Sequence, residues 1–160
     1  MVKRILNYNI EEDRNILRKE SEDIDINNIN EIKDLIQNLK DTLHSIPDAK
    51  GLSAIQIGEP KRVCICSWAG QEIILINPII NRVRGQQEYL EGCLSVPGIY
   101  KKITRFQKVW CSYVDENGQQ KEIAEGGRMS NIIQHELDHF KGKCSLYDEG
   151  ELKNDIKEKE

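Results

Sequence analysis

Residues 126–142 read GGRMSNIIQHELDHFKG, and this stretch decides how the rest of the chain must be arranged. Two glycines before it, Gly142 after it and Lys141 in its last turn predict a helix from about Arg128 to Lys141. At about 100° per residue, its apolar side chains form one stripe, and His135 and His139 lie just beyond the edge of that stripe. The histidines are therefore expected at a cleft wall. The stripe consists of Met129, Ile133, Leu137 and Phe140.

The histidine pair has the spacing of a metal site. Two imidazoles four positions apart project from one face of a helix and can bind a single metal ion. Glu136 lies between them in sequence and is the candidate general base. Asp138 falls on the opposite, polar arc with Gln134 and Lys141, so it is not expected to be a ligand.

A catalytic metal site of this type usually has three protein ligands and one open position. Cys93, which follows Gly92 and strand-like sequence, is the best candidate for the third ligand. Cys64 and Cys66 are alternatives, although strand alternation makes them look like small core residues on one face. The residues alone leave this choice open.

The first half of the chain predicts one amphipathic helix, and the middle predicts strands. Helically spaced apolar residues run from Asn27 to Ile46, and Pro47 ends them. Segments rich in Val, Ile and Cys, separated by turn sequences such as Ala69-Gly70 and Asp115–Gly118, predict antiparallel hairpins. The predicted strands are Arg62–Trp68, Glu72–Ile76, Pro78–Val83, Lys108–Val114 and Gln120–Ala124.

These elements indicate an α+β fold, with antiparallel β-sheets packed around a central helix that carries the HExxH motif and with N-terminal helices. We expect one catalytic domain over residues 1–148. Residues 149–160 are rich in charge and predict a solvated C-terminal tail.

The composition and net charge of the chain narrow the range of binding partners to expect. With 160 residues and 38% hydrophobic content, the chain is expected to form one core. A net charge of -4 argues against direct nucleic-acid binding. No apolar run approaches the roughly 20 residues that span a bilayer, and the five cysteines do not form a secreted disulfide pattern. A cytoplasmic protein with reduced thiols and no membrane partner is expected.

Three separated segments together resemble the signature of the peptide deformylase family. They are Gly51-Leu52-Ser53-Ala54-Ile55-Gln56, Glu91-Gly92-Cys93-Leu94-Ser95 and Gln134-His135-Glu136-Leu137-Asp138-His139. The resemblance covers nearly the whole chain. Two positions depart from it, because the family usually has Gly at Ala49 and Ala at Ser53. It selects Cys93 as the third metal ligand, beside His135 and His139.

The resemblance implies a hydrolase of protein biosynthesis that removes the formyl group from N-formyl-methionyl peptides of newly made proteins and releases formate. It implies Fe(II) as the metal, with Zn, Ni or Co as substitutes, and it is compatible with a transient association with the ribosome. Catalysis would use Glu136 together with the Gln56 amide and the Leu94 backbone N–H. The peptide would pair with the main chain near Gly51 and Gly92.

Two further residues are candidates for the substrate pocket. Ile132 lies one turn before His135 and is expected in the pocket wall. Arg128 shares this side of the helix and is expected to reach the rim, where it would meet the peptide backbone or an acidic side chain.

Two rival interpretations follow from the same residues. A metallopeptidase uses the same helical motif but normally takes a third His or Glu ligand, and activity on unformylated peptides would identify it. A non-catalytic binding protein would keep the fold and the cleft, but the presence of Glu136, Cys93 and Gln56 together argues against it.

Overall fold

The computed structural model describes residues 1–148, which form five strands and three α-helices. The charged tail predicted at 149–160 lies outside the described residues. The helices are α1 (Glu11–Leu17), α2 (Lys33–His44) and α3 (Gly127–Phe140). The strands are β1 (Gly51–Ser53), β2 (Val63–Trp68), β3 (Gln71–Cys93), β4 (Val96–Val114) and β5 (Gln120–Gly126).

All five described strands belong to one antiparallel sheet, in the order of the sequence. The two predicted hairpin turns are confirmed. Ala69 and Gly70 both have positive φ, 52° and 82°, as a two-residue hairpin turn of type I′ requires, and Trp68 pairs with Gln71 across it. Asp115 accepts hydrogen bonds from the backbone of the second turn before β5 begins. The α+β prediction is confirmed, with one continuous sheet.

Strands β3 and β4 form a hairpin much longer than the sequence predicts. Their pairing runs from Ile76 opposite Val114 to Cys93 opposite Val96, with register shifts that include one between Gly92 and Cys93. The predicted strand Pro78–Val83 is only one part of β3. The outer part of the hairpin carries mostly polar, exposed side chains on both strands, so it lacks the apolar alternation by which a half-buried strand is recognised.

The predicted helix over Asn27–Ile46 is right only in its second half. A 3₁₀ helix occupies Ile26–Ile32, and α2 begins at Lys33. The Asp25 side chain accepts a hydrogen bond from the Asn27 backbone N–H, and Asn28 has non-helical angles. Short polar side chains that bond to the local backbone favour turns over a helix, which explains the later start of α2.

Alternate residues of β2 face two core clusters. Val63 and Ile65 pack with α2, whereas Cys64 and Cys66 pack with α3. The prediction that these two cysteines are core residues on one face is confirmed. A third cluster, formed by α1, the N-terminal segment and the chain after α3, includes Tyr8 and Cys144. The sheet thus lies between α2 and α3 near its first strands. In the described part of the chain no helix has the length and apolar character needed to span a membrane.

Candidate active site

Helix α3 begins and ends within one residue of its predicted bounds. Gly127, at φ 59°, begins the helix, and Gly142, at φ 69°, follows its end. The apolar side of the helix packs in the core against β2 and β4, as the predicted stripe requires, through Met129, Ile133 and Phe140. The opposite arc is covered as well, because Gln134 is buried and both donates to and accepts from the backbone of Phe106 on β4. Both faces of α3 are therefore held by the sheet.

The sulfur of Cys93 reaches the histidine face of α3. Cys93 Sγ lies 3.5 Å from His139 Nε2, and the rings of His135 and His139 are 5.0 Å apart between centroids. Among the described residues, the group whose ligand atoms all lie within 4.8 Å of one another consists of Cys93, His139 and Cys144. His135 stands beside that group. Cys144 was not predicted here.

His135 is oriented by a buried carboxylate. Its Nδ1 lies 2.8 Å from Glu91 Oε1, which leaves Nε2 for another partner. Burial alone would raise the pKa of Glu91, but hydrogen bonds to His135 and Arg105 lower it to about 2. Burial likewise opposes the charged form of His135, and the hydrogen bond to Glu91 raises its pKa to about 9. A carboxylate behind a histidine fixes the ring as it does in many metal sites.

Glu91 belongs to a polar cluster that the sequence did not predict. Arg105 donates two hydrogen bonds to Glu91, at 2.6 and 2.9 Å, and pairs with Asp138 at 2.8 Å. Asn131 donates to the same Glu91 carboxylate at 2.7 Å. This ion pair explains why Asp138 faces away from the histidines. An arginine on a strand gives no signal of such a role until its partners across the sheet are known.

Glu136 is almost completely buried beside Ser53 and Gly51. Burial raises its pKa to about 7, a value at which a carboxyl group can both accept and return a proton. The Ser53 hydroxyl lies 3.1 Å from Glu136 Oε1 and 3.0 Å from the Glu136 backbone oxygen, and it donates to this residue. Ser53, one of the two departures from the family pattern, is therefore in contact with the candidate base. Ala49, the other departure, lies in the cleft wall.

Gln56 is fixed between β1 and the β3–β4 hairpin. Its carbonyl oxygen accepts from Ser53 N at 2.8 Å, and its Nε2 donates to Ser95 Oγ at 3.1 Å and points at Cys93 Sγ, 3.7 Å away. Leu94 lies between Cys93 and Ser95 at the end of that hairpin, partly buried against the α2 cluster. The amide of Gln56 and the backbone of Leu94 thus flank the sulfur.

A cleft of about 660 Å³ opens in front of these groups. Gly51, Gly92, Ile132 and Arg128 all line it, together with Gln56, Cys93, Leu94, Asn131, His135 and Glu136. The guanidinium of Arg128 donates to the Leu90 backbone oxygen at 3.1 Å and lies 4.9 Å from the centre of the Tyr89 ring. Arg128 is thus held at the cleft by contacts with β3.

Gly51 leaves no room for a side chain. A Cβ built at this position would lie 2.5 Å from Glu136 Oε2 and 2.9 Å from its Cδ. Glu136 is confined by burial, so we expect Gly51→Ala to displace the carboxylate and to lower kcat/KM by about 100-fold, the loss typical of a misplaced catalytic group. Steady-state kinetics on a formyl-methionyl peptide, the substrate that the family resemblance implies, with circular dichroism to confirm folding, measures this effect. Unchanged kinetics would show that the carboxylate has freedom to move.

The fold and this cleft define the class of metal-dependent hydrolases that carry two histidines and a carboxylate on one helix. Comparison with known proteins places the chain within that class. The polypeptide deformylase family profile matches residues 2–153. The chain is 38% identical to the peptide deformylase of Aquifex aeolicus over 133 residues, covering 79% of this chain and 78% of the relative. It is 40% identical to the peptide deformylase of Syntrophomonas wolfei over 108 residues, or 68% and 70% of the two chains.

Solved structures of peptide deformylases have the same fold. The crystal structure of a peptide deformylase from Legionella pneumophila superposes with a TM-score of 0.81 at 30% identity, over 93% of this chain and 88% of that one. That of the Thermotoga maritima enzyme gives 0.81 at 26% identity, over 90% and 95%. The chain belongs to the peptide deformylase family. It is a hydrolase that removes the N-formyl group from nascent peptides, and the family is metal-dependent.

Proposed function

We propose that this chain deformylates N-formyl-methionyl peptides with a divalent metal held by Cys93, His135 and His139 and with Glu136 as general base and acid. The observation that supports this proposal best is the 3.5 Å separation of Cys93 Sγ and His139 Nε2 beside the buried Glu136 carboxylate. A formate-release assay on a formyl-Met-Ala peptide, run anaerobically with Fe(II), tests it. Absence of formate with a metal-loaded, folded chain would contradict it.

The donor set fits a divalent transition metal. Burial lowers the pKa of His139 well below its usual value, which favours the neutral imidazole that a ligand must be. A cation bound at His135 would have to displace the proton that the hydrogen bond to Glu91 favours there. Glu91 holds His135 in one orientation, and the Cys93 thiolate is a soft ligand that suits Fe(II) and Zn(II). We propose Fe(II) as the native ion, on the strength of the family resemblance, with Zn, Ni or Co as substitutes. Bound by these residues, such an ion would lower the pKa of water and make hydroxide available near neutral pH.

The protein groups then divide the proton transfers and charge stabilisation among them. Glu136 accepts a proton from the attacking water while the water oxygen bonds to the formyl carbon. It later returns that proton to the leaving amine nitrogen as the C–N bond breaks. The negative charge on the formyl oxygen is stabilised by the Gln56 Nε2–H and the Leu94 backbone N–H. Gln56 is prepared for this because Ser53 N fixes its carbonyl oxygen at 2.8 Å.

Substrate binding is proposed to use the free edge beside the cleft. Strand β1, which carries Gly51, is the edge strand of the sheet and pairs only with β2 among the described strands. An extended peptide can add to such an edge through main-chain hydrogen bonds near Gly51 and Gly92. Ile132, which is buried and lines the cleft, would then contact the methionine side chain.

The cellular setting follows from the substrate. We propose that the chain acts in the cytoplasm on nascent chains, with transient ribosome association, no membrane partner and no direct binding of nucleic acid. We also propose that residues 1–148 make up a single catalytic domain, followed by a charged C-terminal tail over 149–160. Formyl peptides arise during translation, so a location near the ribosome would give the enzyme early access to its substrate.

Cys93→Ser separates metal binding from chemistry. Serine is a poor ligand for a divalent transition metal, so we expect the purified variant to lose most of its bound metal and its formate release. Elemental analysis of parent and variant, prepared side by side, measures the metal content. Cys111→Ser, on β4 and away from the cleft, is the matched control and should retain metal. Parent-like metal content in Cys93→Ser would refute the ligand role.

Arg128→Ala tests the proposed contact at the cleft rim. If the guanidinium meets the peptide backbone or an acidic side chain, its loss should weaken binding and reduce any preference for peptides with Glu or Asp after methionine by about 10-fold, the effect of one charged hydrogen bond. kcat/KM for a series of formyl-Met-Xaa peptides measures this preference. An identical preference in parent and variant would mean that Arg128 serves only to hold Leu90 and Tyr89.

A further inference from the structure

Cys144 lies against the proposed metal site from the side of the core. Its sulfur, the sulfur of Cys93 and a ring nitrogen of His139 all lie within 4.8 Å of one another. Cys144 is 1% exposed and packs with Leu6, Tyr8 and Leu17, whereas Cys93 lines the cleft. The two sulfurs therefore meet at the boundary between cleft and core.

The main chain around Cys144 is well fixed. Cys144 N donates to Asp148 Oδ2 at 2.8 Å, and its carbonyl oxygen accepts from the backbone N–H of Tyr147 and Asp148. Asp148 in turn pairs with Arg18 at 2.5 Å. Cys93, by contrast, lies at a register shift in the β3–β4 pairing, where the ladder is already irregular. The backbone at Cys93 can therefore shift, so that the two sulfurs, which lie within 4.8 Å of each other, approach the disulfide bond length of about 2.05 Å.

Access distinguishes Cys93 from the other thiols. All five cysteines of the sequence lie in the described residues, and Cys93 alone among them is partly exposed. A small oxidant that enters the cleft therefore meets Cys93 first. Oxidation of a cysteine requires access to its sulfur, and an oxidised cysteine with a second thiol nearby is resolved to a disulfide. Cys144 is placed to be that second thiol.

We propose that Cys93 and Cys144 form a reversible disulfide when the enzyme is exposed to hydrogen peroxide. The Cys93 sulfur attacks one peroxide oxygen, so that an S–O bond forms and the O–O bond breaks, and the thiol proton passes to the departing hydroxide, which gives a sulfenic acid and water. The Cys144 sulfur then attacks the Cys93 sulfur, so that the S–S bond forms, the S–O bond breaks and a second water leaves. The two thiols lose two electrons in all, and peroxide gains them.

The disulfide would have two effects on the enzyme. It removes the Cys93 thiolate, and so it releases the metal, an effect that rests on the proposed ligand role. It also stops Cys93 from reaching the sulfinic and sulfonic acids, which thiol reductants do not reverse. A dithiol would then regenerate both thiols and restore metal binding.

Peptide mapping of the full-length, zinc-loaded chain tests this proposal directly. After treatment with hydrogen peroxide and blocking of free thiols with N-ethylmaleimide, we expect a disulfide-linked peptide pair that contains Cys93 and Cys144. A chromogenic chelator should report loss of the bound zinc, and dithiothreitol should restore zinc binding. A map that shows only over-oxidised Cys93, or a link between Cys64 and Cys66 instead, would overturn the proposal.

Two variants sharpen the test. Cys144→Ala should lose reversibility, because its Cys93 proceeds to sulfinic and sulfonic acids and dithiothreitol no longer restores zinc binding. Cys111→Ala should behave as the parent does. Full recovery of Cys144→Ala on reduction would contradict the proposal, and the parent's peptide map decides alone if this variant fails to fold. If the linked peptide pair forms but the chain keeps its zinc, the proposed ligand role of Cys93 is disproved and the disulfide proposal stands.

Discussion

Glu136→Gln is expected to lower kcat/KM for a formyl-methionyl peptide by about 10²–10⁴-fold, the usual contribution of a general acid–base group. This corresponds to about 3 to 5 kcal/mol of transition-state stabilisation. Glutamine preserves the shape of the side chain and can still accept the hydrogen bond from Ser53, but it cannot take a proton from water at neutral pH. The loss should fall mainly on kcat, because the carboxylate acts on the reacting atoms.

The experiment compares steady-state kinetics and metal content in three proteins. Glu122→Gln, an exposed carboxylate on β5, is the matched control and should retain parent kinetics. Glu136→Gln should keep its metal, since the side chain is not among the proposed ligands. Turnover within a few-fold of the parent would remove Glu136 from the mechanism, and loss of metal would show that it acts as a ligand.

Helix α3 was predictable from the sequence because both of its signals are local. The spacing of His135 and His139 depends only on the helical repeat, and the glycines at its two ends act within a few residues. The hairpin turns at Ala69-Gly70 and Asp115–Gly118 were predictable for the same reason. Each of these features is decided by residues close together in the chain.

The meeting of Cys93 with α3 was not predictable from spacing. It depends on the register of the β3–β4 hairpin, and that hairpin extends through polar residues without apolar alternation. Family resemblance favoured Cys93 over Cys64 and Cys66, and the structure places those two in the core. The sequence left the role of Cys144 open, with a structural thiol as the default, because nothing in its local sequence marks a thiol that packs behind Cys93.

Arg105 is the buried charge on which the histidine face depends. It is 7% exposed and hydrogen-bonds to Glu91, Asp138 and Ser145. Glu91 in turn holds His135, so the arrangement runs from strand β4 through a carboxylate to a proposed metal ligand. A buried ion pair adds little net stability when both partners are present, but removal of one partner leaves a charge without compensation.

We therefore expect Arg105→Met to lower the free energy of unfolding by about 3–5 kcal/mol, since methionine fills the space but leaves the Glu91 carboxylate buried without its arginine partner. Urea unfolding of parent and variant measures the loss, and Lys102→Met, an exposed position on the same strand, should stay within about 0.5 kcal/mol of the parent. The Arg105→Met/Glu91→Gln double variant should be more stable than Arg105→Met, because the buried charge that lost its arginine partner is gone.

The stabilisation by Glu91 should also depend on pH. In the parent the pKa of Glu91 is lowered from 4.5 to about 2, so its contribution to the free energy of unfolding is present above pH 4.5 and is lost as the pH falls towards 2. The gap between parent and Arg105→Met should narrow over that pH range as the parent loses this contribution. A gap that does not narrow, or a double variant no more stable than the single one, would mean that Arg105 stabilises the protein by packing and not by charge.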